Sequence, residues 1–273
     1  MSHRPLSLLL VAPALAVILL LFVVPLVASV VGAFEVGDGF GFGNFVKATE
    51  LYTQDAIFTV VIVSLSTVLI GLFSIAIAGY LTLGENPRTV AILRWLYRWP
   101  MFIPFIVTGQ VLRTFLAKNG LFNNVLISLG ILTPLQAESF LDWRGIVIAF
   151  VWKQTPFVTL LLAGAMASLD RSTIEAARNL GAARLRILLE IVVPQVATTL
   201  LVGLILSFVT MMSVLSVPLM INAQSPTMLT TDIAFRINAY GDYGVANALG
   251  LVSLLITSVV AWIYLRHGVR KSL

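Results

Sequence analysis

The chain has 273 residues, of which 59% are hydrophobic and only 11% charged. A soluble domain carries about 45–50% apolar and about 25% charged residues to keep its surface wet, so this balance, with a mean hydropathy of +1.01, excludes an ordinary soluble protein. The net charge of +5 comes from basic residues scattered at the ends of apolar segments; with no basic run and no interleaved aromatics, nucleic acid is not an expected partner. There is no cysteine, which excludes disulfides, thiolate metal sites and cysteine nucleophiles, and His3 and His267 lie too near opposite chain ends to make an expected metal pair.

Six segments are long enough to cross about 30 Å of hydrocarbon, which takes about 20 helical residues. In chain order they are Leu6–Val31, Ile57–Leu83, Ile92–Leu116, Gly145–Leu169, Val192–Val217 and Ala246–Leu265. Each is expected to be helical, because lipid cannot satisfy stray backbone amides, and the continuous apolar runs exclude a barrel, whose strands alternate with period two. The first run exceeds the roughly 7–15 apolar residues of a signal core, so retention in the mature chain is expected despite the weak cleavage-like Val31-Gly32-Ala33.

With both termini in the cytoplasm, the inside receives Arg4, Arg88, Arg94, Arg98, Arg171, Arg178, Arg184, Arg186, Arg266, Arg270 and Lys271, and the outside Lys47, Arg113, Lys118, Arg144, Lys153 and Arg236. That is 11 against 6 of the 17 basic residues, so the positive-inside rule favours this orientation. The outer loops are then Gly32–Ala56, with four alternating glycines from Gly37 to Gly43, Ala117–Arg144, in which Gly120 to Asn124 begins a short helix along the membrane, and Pro218–Val245. None contains a soluble domain, and the whole chain, 1–273, reads as one transmembrane domain.

The segment from Ser172 to Pro194 is polar, Gly-broken and set between two apolar spans. Ser172 and Glu175 have the S-x-x-E spacing of a capping box, which predicts a helix start at Ser172, and Gly181 is a left-handed stop. A helix of two turns is too short to stand alone, so tertiary or partner contacts must hold it. Ala176, Ala177 and Leu180 share one side, where small residues permit close approach, and Arg178 and Asn179 are expected to project elsewhere. The following piece, Ala182 to Glu190, returns toward the bilayer, and Pro194 should bend the start of the fifth span because it lacks an amide proton and crowds the Glu190 carbonyl. On these residues alone a plain helix–turn–helix connection, with Glu175 merely a capping residue, is the favoured reading, since capping boxes and Gly stops are common in any helical protein.

The order Glu175-Ala176-Ala177, three residues, Gly181, nine residues, Ile191, one residue, Val193-Pro194 resembles the EAA loop of the membrane subunits of binding-protein-dependent ABC importers, E-A-A-x3-G-x9-I-x-L-P. It departs from that pattern at Val193, and Asp170 stands near where relatives often have proline. Trp152 and Pro156-Phe157 on the fourth span, and Pro100 and Pro104 on the third, are similar to further positions of the family. The resemblance implies an all-α polytopic membrane protein with six transmembrane helices in the type I ABC importer permease fold. It also implies that the loop, about residues 172–194, forms a coupling helix in a cleft of an ATP-hydrolysing subunit. Glu175, Ala176, Ala177 and Gly181 would be contact and hinge positions, with Arg178 and Arg184 beside them.

A phosphate-binding loop needs G-x-x-x-x-G-K-[ST]; the four lysines, Lys47, Lys118, Lys153 and Lys271, none of which follows a glycine, exclude it here. The chain is therefore expected to be non-catalytic and to carry no cofactor, with ATP and magnesium on partner subunits. The resemblance implies as partners two ATP-binding subunits, a second permease subunit (a different chain or a second copy) and an extracytoplasmic solute-binding protein, in a bacterial or archaeal cell membrane. Within the spans, Lys153, Gln154 and Thr155 on the fourth and Gln110 on the third are pathway candidates, since polar groups in lipid are functional by default; Lys153 could equally snorkel beside Trp152, and snorkelling is the expectation for Arg113. Met211 and Met212 are expected to pack rather than line a cavity. The Asn-Leu-Gly-Ala wording of the loop resembles importers of polyamines, thiamine, phosphonates, oxyanions or iron more than the sugar group, so a small polar or charged solute is expected. A secondary transporter or a channel would need an internal repeat or broken-helix ion sites, and a membrane enzyme a converging catalytic set; neither accounts for the loop.

Overall fold

The computed structural model of the chain describes residues 4–222 and 224–269. Arg270 and Lys271, which entered the charge count, and His3, weighed with His267 as a metal pair, lie outside the described residues, as do the side chains of Arg4 and His267. Helix α1 (Arg4–Ile18) passes through a π turn, Leu19–Val23, into α2 (Val24–Phe34), and a tight hairpin of β1 (Glu35–Val36) and β2 (Gly39–Phe40) leads to α3 (Gly43–Leu83). There follow α4 (Pro87–Leu96), a 3-10 turn at Trp99–Phe102, α5 (Phe105–Leu116), α6 (Leu121–Ser128) and α7 (Trp143–Ala167). After them come α8 (Arg171–Asn179), α9 (Arg184–Arg186), a π turn at Ile187–Val192, α10 (Val193–Gln195) and α11 (Ala197–Ser213). The chain closes with α12 (Ser216–Ile221), α13 (Leu229–Phe235), a π turn at Arg236–Tyr240 and α14 (Tyr243–Val269).

Among the described residues, four stretches are long and apolar enough to cross a membrane alone: Val11–Phe34, Gly43–Leu83, Trp143–Ala167 and Tyr243–Ile263. Two more qualify as bent pairs, Pro87–Phe102 with Phe105–Ser128 at 106° and Arg184–Gln195 with Ala197–Ser213 at 76°. The third span is thus not one helix from Ile92 to Leu116. Pro100 and Pro104 each remove an amide donor, and the backbone turns through a 3-10 segment closed by the Ile103 amide on the Pro100 carbonyl at 3.3 Å. The fifth span breaks where Pro194 predicts a bend, at Val196, and ends at Ser213 rather than Val217.

The first outer loop is also shorter than expected. Helix α3 begins at Gly43 and runs 41 residues, about 60 Å at 1.5 Å per residue, so Gly43–Ala56 is helix instead of loop. Its polar face (Asn44, Lys47, Glu50, Gln54) lowers the apolarity without breaking helicity, since none of those residues is Gly or Pro. The short helix beginning near Gly120 is present as α6, and its Asn123 side chain donates to the carbonyls of Ala117, Lys118 and Glu138 at 3.2, 2.9 and 2.8 Å.

The residues fall into two compact units. In the first, Met1–Gln54 with Asp232–Leu255, the Asn44 amide donates to the Ala33 and Glu35 carbonyls at 3.2 and 2.7 Å. Phe34 meets the rings of Phe42 and Phe45 at 5.4 and 4.9 Å. Leu19 to Phe22 are exposed side by side, as a lipid-facing helix requires. In the second, Asp55–Thr231 with Ile256–Leu273, α7 is the centre. Its Ile146, Phe150 and Val158 are fully buried with Met211 of α11 and Val217 of α12, and Met212 packs in the same core. Close approach is set by glycine: a Cβ on Gly109 of α5 would lie 3.0 Å from Met220 Cβ of α12.

Candidate functional site

The segment after α7 is built on a second apolar cluster. Ile174 of α8 and Ile187, Leu188 and Val192 of the π turn pack with Leu162 and Met166 of α7, and Ala177 lies against them. Helix α8 therefore has an inward face at Ile174, Ala177 and Arg178 and an outward face at Thr173, Ala176 and Leu180, with Leu180 88% exposed.

The helix starts one residue earlier than the S-x-x-E spacing predicts. Asp170 is the cap: one carboxylate oxygen accepts from the Ser172 amide at 2.9 Å and the other from the Ser172 hydroxyl at 2.6 Å. These bonds favour the ionised form and hold the Asp170 carboxyl below its ordinary value of 3.8. The Ser172–Glu175 capping box is not formed, because Ser172 already lies inside the helix and its hydroxyl is committed to Asp170. The stop is as expected. Gly181 has φ +78°, its amide bonds the Arg178 carbonyl at 2.9 Å, and the Ala182 amide bonds the Ala177 carbonyl at 3.0 Å, the two reciprocal bonds of a Schellman motif.

Three contacts strap this segment to the end of α3. Arg178 does not project away; its Nη2 donates to the Leu83 carbonyl at 3.2 Å, one of the orphan acceptors of the α3 C-terminus. Arg184 pairs with Glu85. Leu188 sits where Gly79 has no side chain: a Cβ there would lie 2.6 Å from a Leu188 methyl. Displacing α8 therefore loads α3 directly. Glu175, Ala176 and Gly181 remain exposed.

Among the pathway candidates, Lys153 is held. Its ammonium donates to the carbonyls of Pro100 and Met101, both at 2.9 Å, and lies 5.4 Å from the centre of the Phe105 ring. It thus closes the break of the third span, accepting neither the snorkelling geometry nor an open position. Gln154 and Thr155 are buried at 7% and 8% exposure, and the Thr155 hydroxyl, with those of Ser66, Thr159 and Ser207, has no hydrogen-bond partner among the described residues. Gln110 is exposed on α5, and the four candidates do not converge on one cavity.

Asp55 escaped the sequence reading. It is 3% exposed and its Oδ1 accepts from the Thr227 amide at 2.8 Å and the Ser225 hydroxyl at 3.2 Å. The neighbouring Thr59 hydroxyl accepts from the Leu229 amide at 2.9 Å. Together they clamp the stretch between α12 and α13 onto α3. An acidic residue within four positions of an apolar run was the available signal.

Residues 4–271 match the family described as the inner membrane component of binding-protein-dependent transport systems, and the chain belongs to that family. It is a multi-pass inner membrane protein with the type I importer permease fold. Among curated relatives, the trehalose/maltose transport system permease protein MalF of Thermococcus litoralis is 30% identical over 221 residues, covering 77% of this chain and 71% of that protein. The sulfoquinovosyl glycerol transport system permease protein SmoG of Agrobacterium fabrum is 28% identical, covering 97% and 91%. The sn-glycerol-3-phosphate transport system permease protein UgpA of Escherichia coli is 28% identical, covering 98% and 96%. A chain in the crystal structure of a bacterial alginate ABC transporter, in complex with an alginate pentasaccharide-bound periplasmic protein, superposes with a TM-score of 0.83 at 20% identity, covering 97% of this chain and 94% of that one. These relatives carry sugars or glycerol phosphate in their names; the polyamine, thiamine, phosphonate and iron group suggested by the Asn-Leu-Gly-Ala wording is not what they represent.

Proposed function

We propose that this permease forms part of the translocation pathway for a sugar, glycoside or glycerol phosphate and is driven by ATP hydrolysis on separate subunits. The substrate class rests on the names of the relatives, which replace the polyamine-like expectation. The mechanical reading rests on one observation: α8 presents Thr173, Ala176 and Leu180 outward while Arg178, on its other side, grips the end of α3. Such a helix suits a cleft on a partner. Two ATP-binding subunits closing on ATP and magnesium would draw α8 and its counterpart on a second permease subunit together. Each α8 would pull α3 through Leu83, and the α9 and π-turn residues behind it through Glu85 and Gly79, and the cavity would open to a solute-binding protein outside.

In this scheme Ala176 forms the docked face and Glu175 borders it, Ala177 backs it against the apolar cluster, Gly181 is the hinge, and Arg178 and Arg184 carry the load to α3. Both termini lie in the cytoplasm, as the basic residues favour. Gln110 is the pathway candidate with an accessible side chain; Lys153, Gln154 and Thr155 act by holding the fourth span against its neighbours. The second permease is a different chain, with a second copy as the alternative.

The test uses the assembled transporter in vesicles with its binding protein. Glu175→Lys or Gly181→Pro should leave the ATPase subunits bound or weakly bound and abolish uptake; normal uptake with normal assembly would remove the coupling role. Uptake of labelled trehalose, maltose and glycerol 3-phosphate, set against spermidine, decides the substrate class, and transport of spermidine alone would reverse it.

A further inference from the structure

Two concavities of the second unit meet at Tyr97, a side chain only 7% exposed that lines both. The first, about 510 Å³, lies between the end of α3, α4, the end of α7 and α8. Four guanidiniums line it, those of Arg94, Arg98, Arg171 and Arg178, against one carboxylate, Glu175. None of the four makes an ion pair among the described residues. Arg98 Nε donates to the Tyr97 hydroxyl at 3.3 Å and Arg178 Nη2 to the Leu83 carbonyl, so each uses one of its five donors. All four are exposed and border one hollow, which carries a formal excess of three positive charges.

The second concavity, also about 510 Å³, is an apolar groove between α3, α4 and α7, walled by Leu69, Phe73, Ile77, Leu93, Val151 and Pro156. From Pro156 to Val147, both on its wall, α7 rises about 14 Å, close to the depth of one leaflet of a 30 Å hydrocarbon layer. Two positions to either side of Tyr97 in the chain, Trp95 and Trp99 pack edge to face at 4.6 Å and are 61% and 54% exposed. Indole rings favour the depth of the lipid headgroups.

We propose that the two concavities form one site for an anionic phospholipid, its phosphodiester among Arg94, Arg98, Arg171 and Arg178 and one acyl chain in the groove. A soluble phosphate would leave the groove empty, and a zwitterionic lipid would bring its own cation into an already cationic hollow. A phosphodiester on a chain satisfies both, with charge-assisted bonds from several guanidiniums. The bound lipid would join α4 to α8, the helix on which the coupling reading rests, although the site itself is independent of that reading and of the transported solute.

The assay is native mass spectrometry of the assembled transporter, exchanged into mixed micelles with phosphatidylglycerol or phosphatidylcholine, with and without millimolar inorganic phosphate. Phosphatidylglycerol should be retained and phosphatidylcholine lost, and inorganic phosphate should not displace the former. Arg94→Gln with Arg98→Gln should weaken retention about tenfold or more, while Arg88→Gln, on the same helix outside both concavities, should not. Val151→Phe, which fills the groove without touching an arginine, should weaken it too and serves if the double variant does not assemble. Equal retention of the two lipids, displacement by inorganic phosphate, or unchanged retention in the groove variant would overturn the proposal.

Discussion

Replacing Lys153 by Met removes an ammonium that closes a broken helix. Its two bonds to the Pro100 and Met101 carbonyls, both 2.9 Å, are charge-assisted, and each is worth about 1.5–3 kcal/mol. Part of that is returned because methionine avoids dehydrating a cation, and the methionine stem still fills the space beside Phe105. A net loss of about 2–3 kcal/mol is expected, concentrated at the 3-10 turn of the third span. Hydrogen exchange in lipid nanodiscs reads this locally: the Ile103 amide, bonded to the Pro100 carbonyl, should exchange about 30- to 150-fold faster, at 1.4 kcal/mol per factor of ten. Lys153→Gln, which keeps N–H donors but loses the charge, should fall between. Unchanged exchange and unchanged thermal stability, accompanied by altered solute selectivity, would refute the reasoning and move Lys153 to the pathway.

Gly145→Ala should destabilise by about 1–3 kcal/mol, because the added Cβ would lie 2.4 Å from the Phe140 carbonyl oxygen and 2.9 Å from Ile221; thermal unfolding in nanodiscs measures it. The Asp170 cap sets a pH dependence. Its folded-state pKa is depressed by the Ser172 bonds, so its contribution is complete above the ordinary value of 3.8 and is lost as pH falls through the lower folded value. Protection of the Ser172 amide should be flat from neutral pH down to about 5 and fall below about 4, and it should already be reduced at neutral pH in Asp170→Ala. Thr159→Val removes a buried hydroxyl without a partner among the described residues and should be neutral or stabilising by up to about 1 kcal/mol; a clear loss would place an ordered water there.

Six apolar stretches were legible because lipid leaves no other solution for a run of that length. The Gly181 stop and the Pro194 bend were legible because each depends on one residue's own backbone. The fracture of the third span was not, since Pro100 and Pro104 announce a weakness but neither its 106° nor the Lys153 ammonium that bonds its carbonyls from another helix is written in the local sequence. The start of α8 misled because Asp170 and Ser172 are both cap residues two positions apart, and only the backbone shows which of them stands outside the helix. The solute class was not legible for a different reason: the Asn-Leu-Gly-Ala wording lies at the exposed stop after α8, away from the spans that a solute crosses.

The π turn at Ile187–Val192 has one further consequence. Such a turn holds one residue more than the α-helix around it would need, and one residue is about 100° of rotation. The wide turn absorbs that residue locally, so deleting Leu189 would restore the ordinary winding and leave α9 in phase with the helix that follows, facing the same neighbour. A difference of one residue in chain length is therefore accommodated at this point, so two permeases alike in every contact residue but differing by one position in this turn would present the same face to α3.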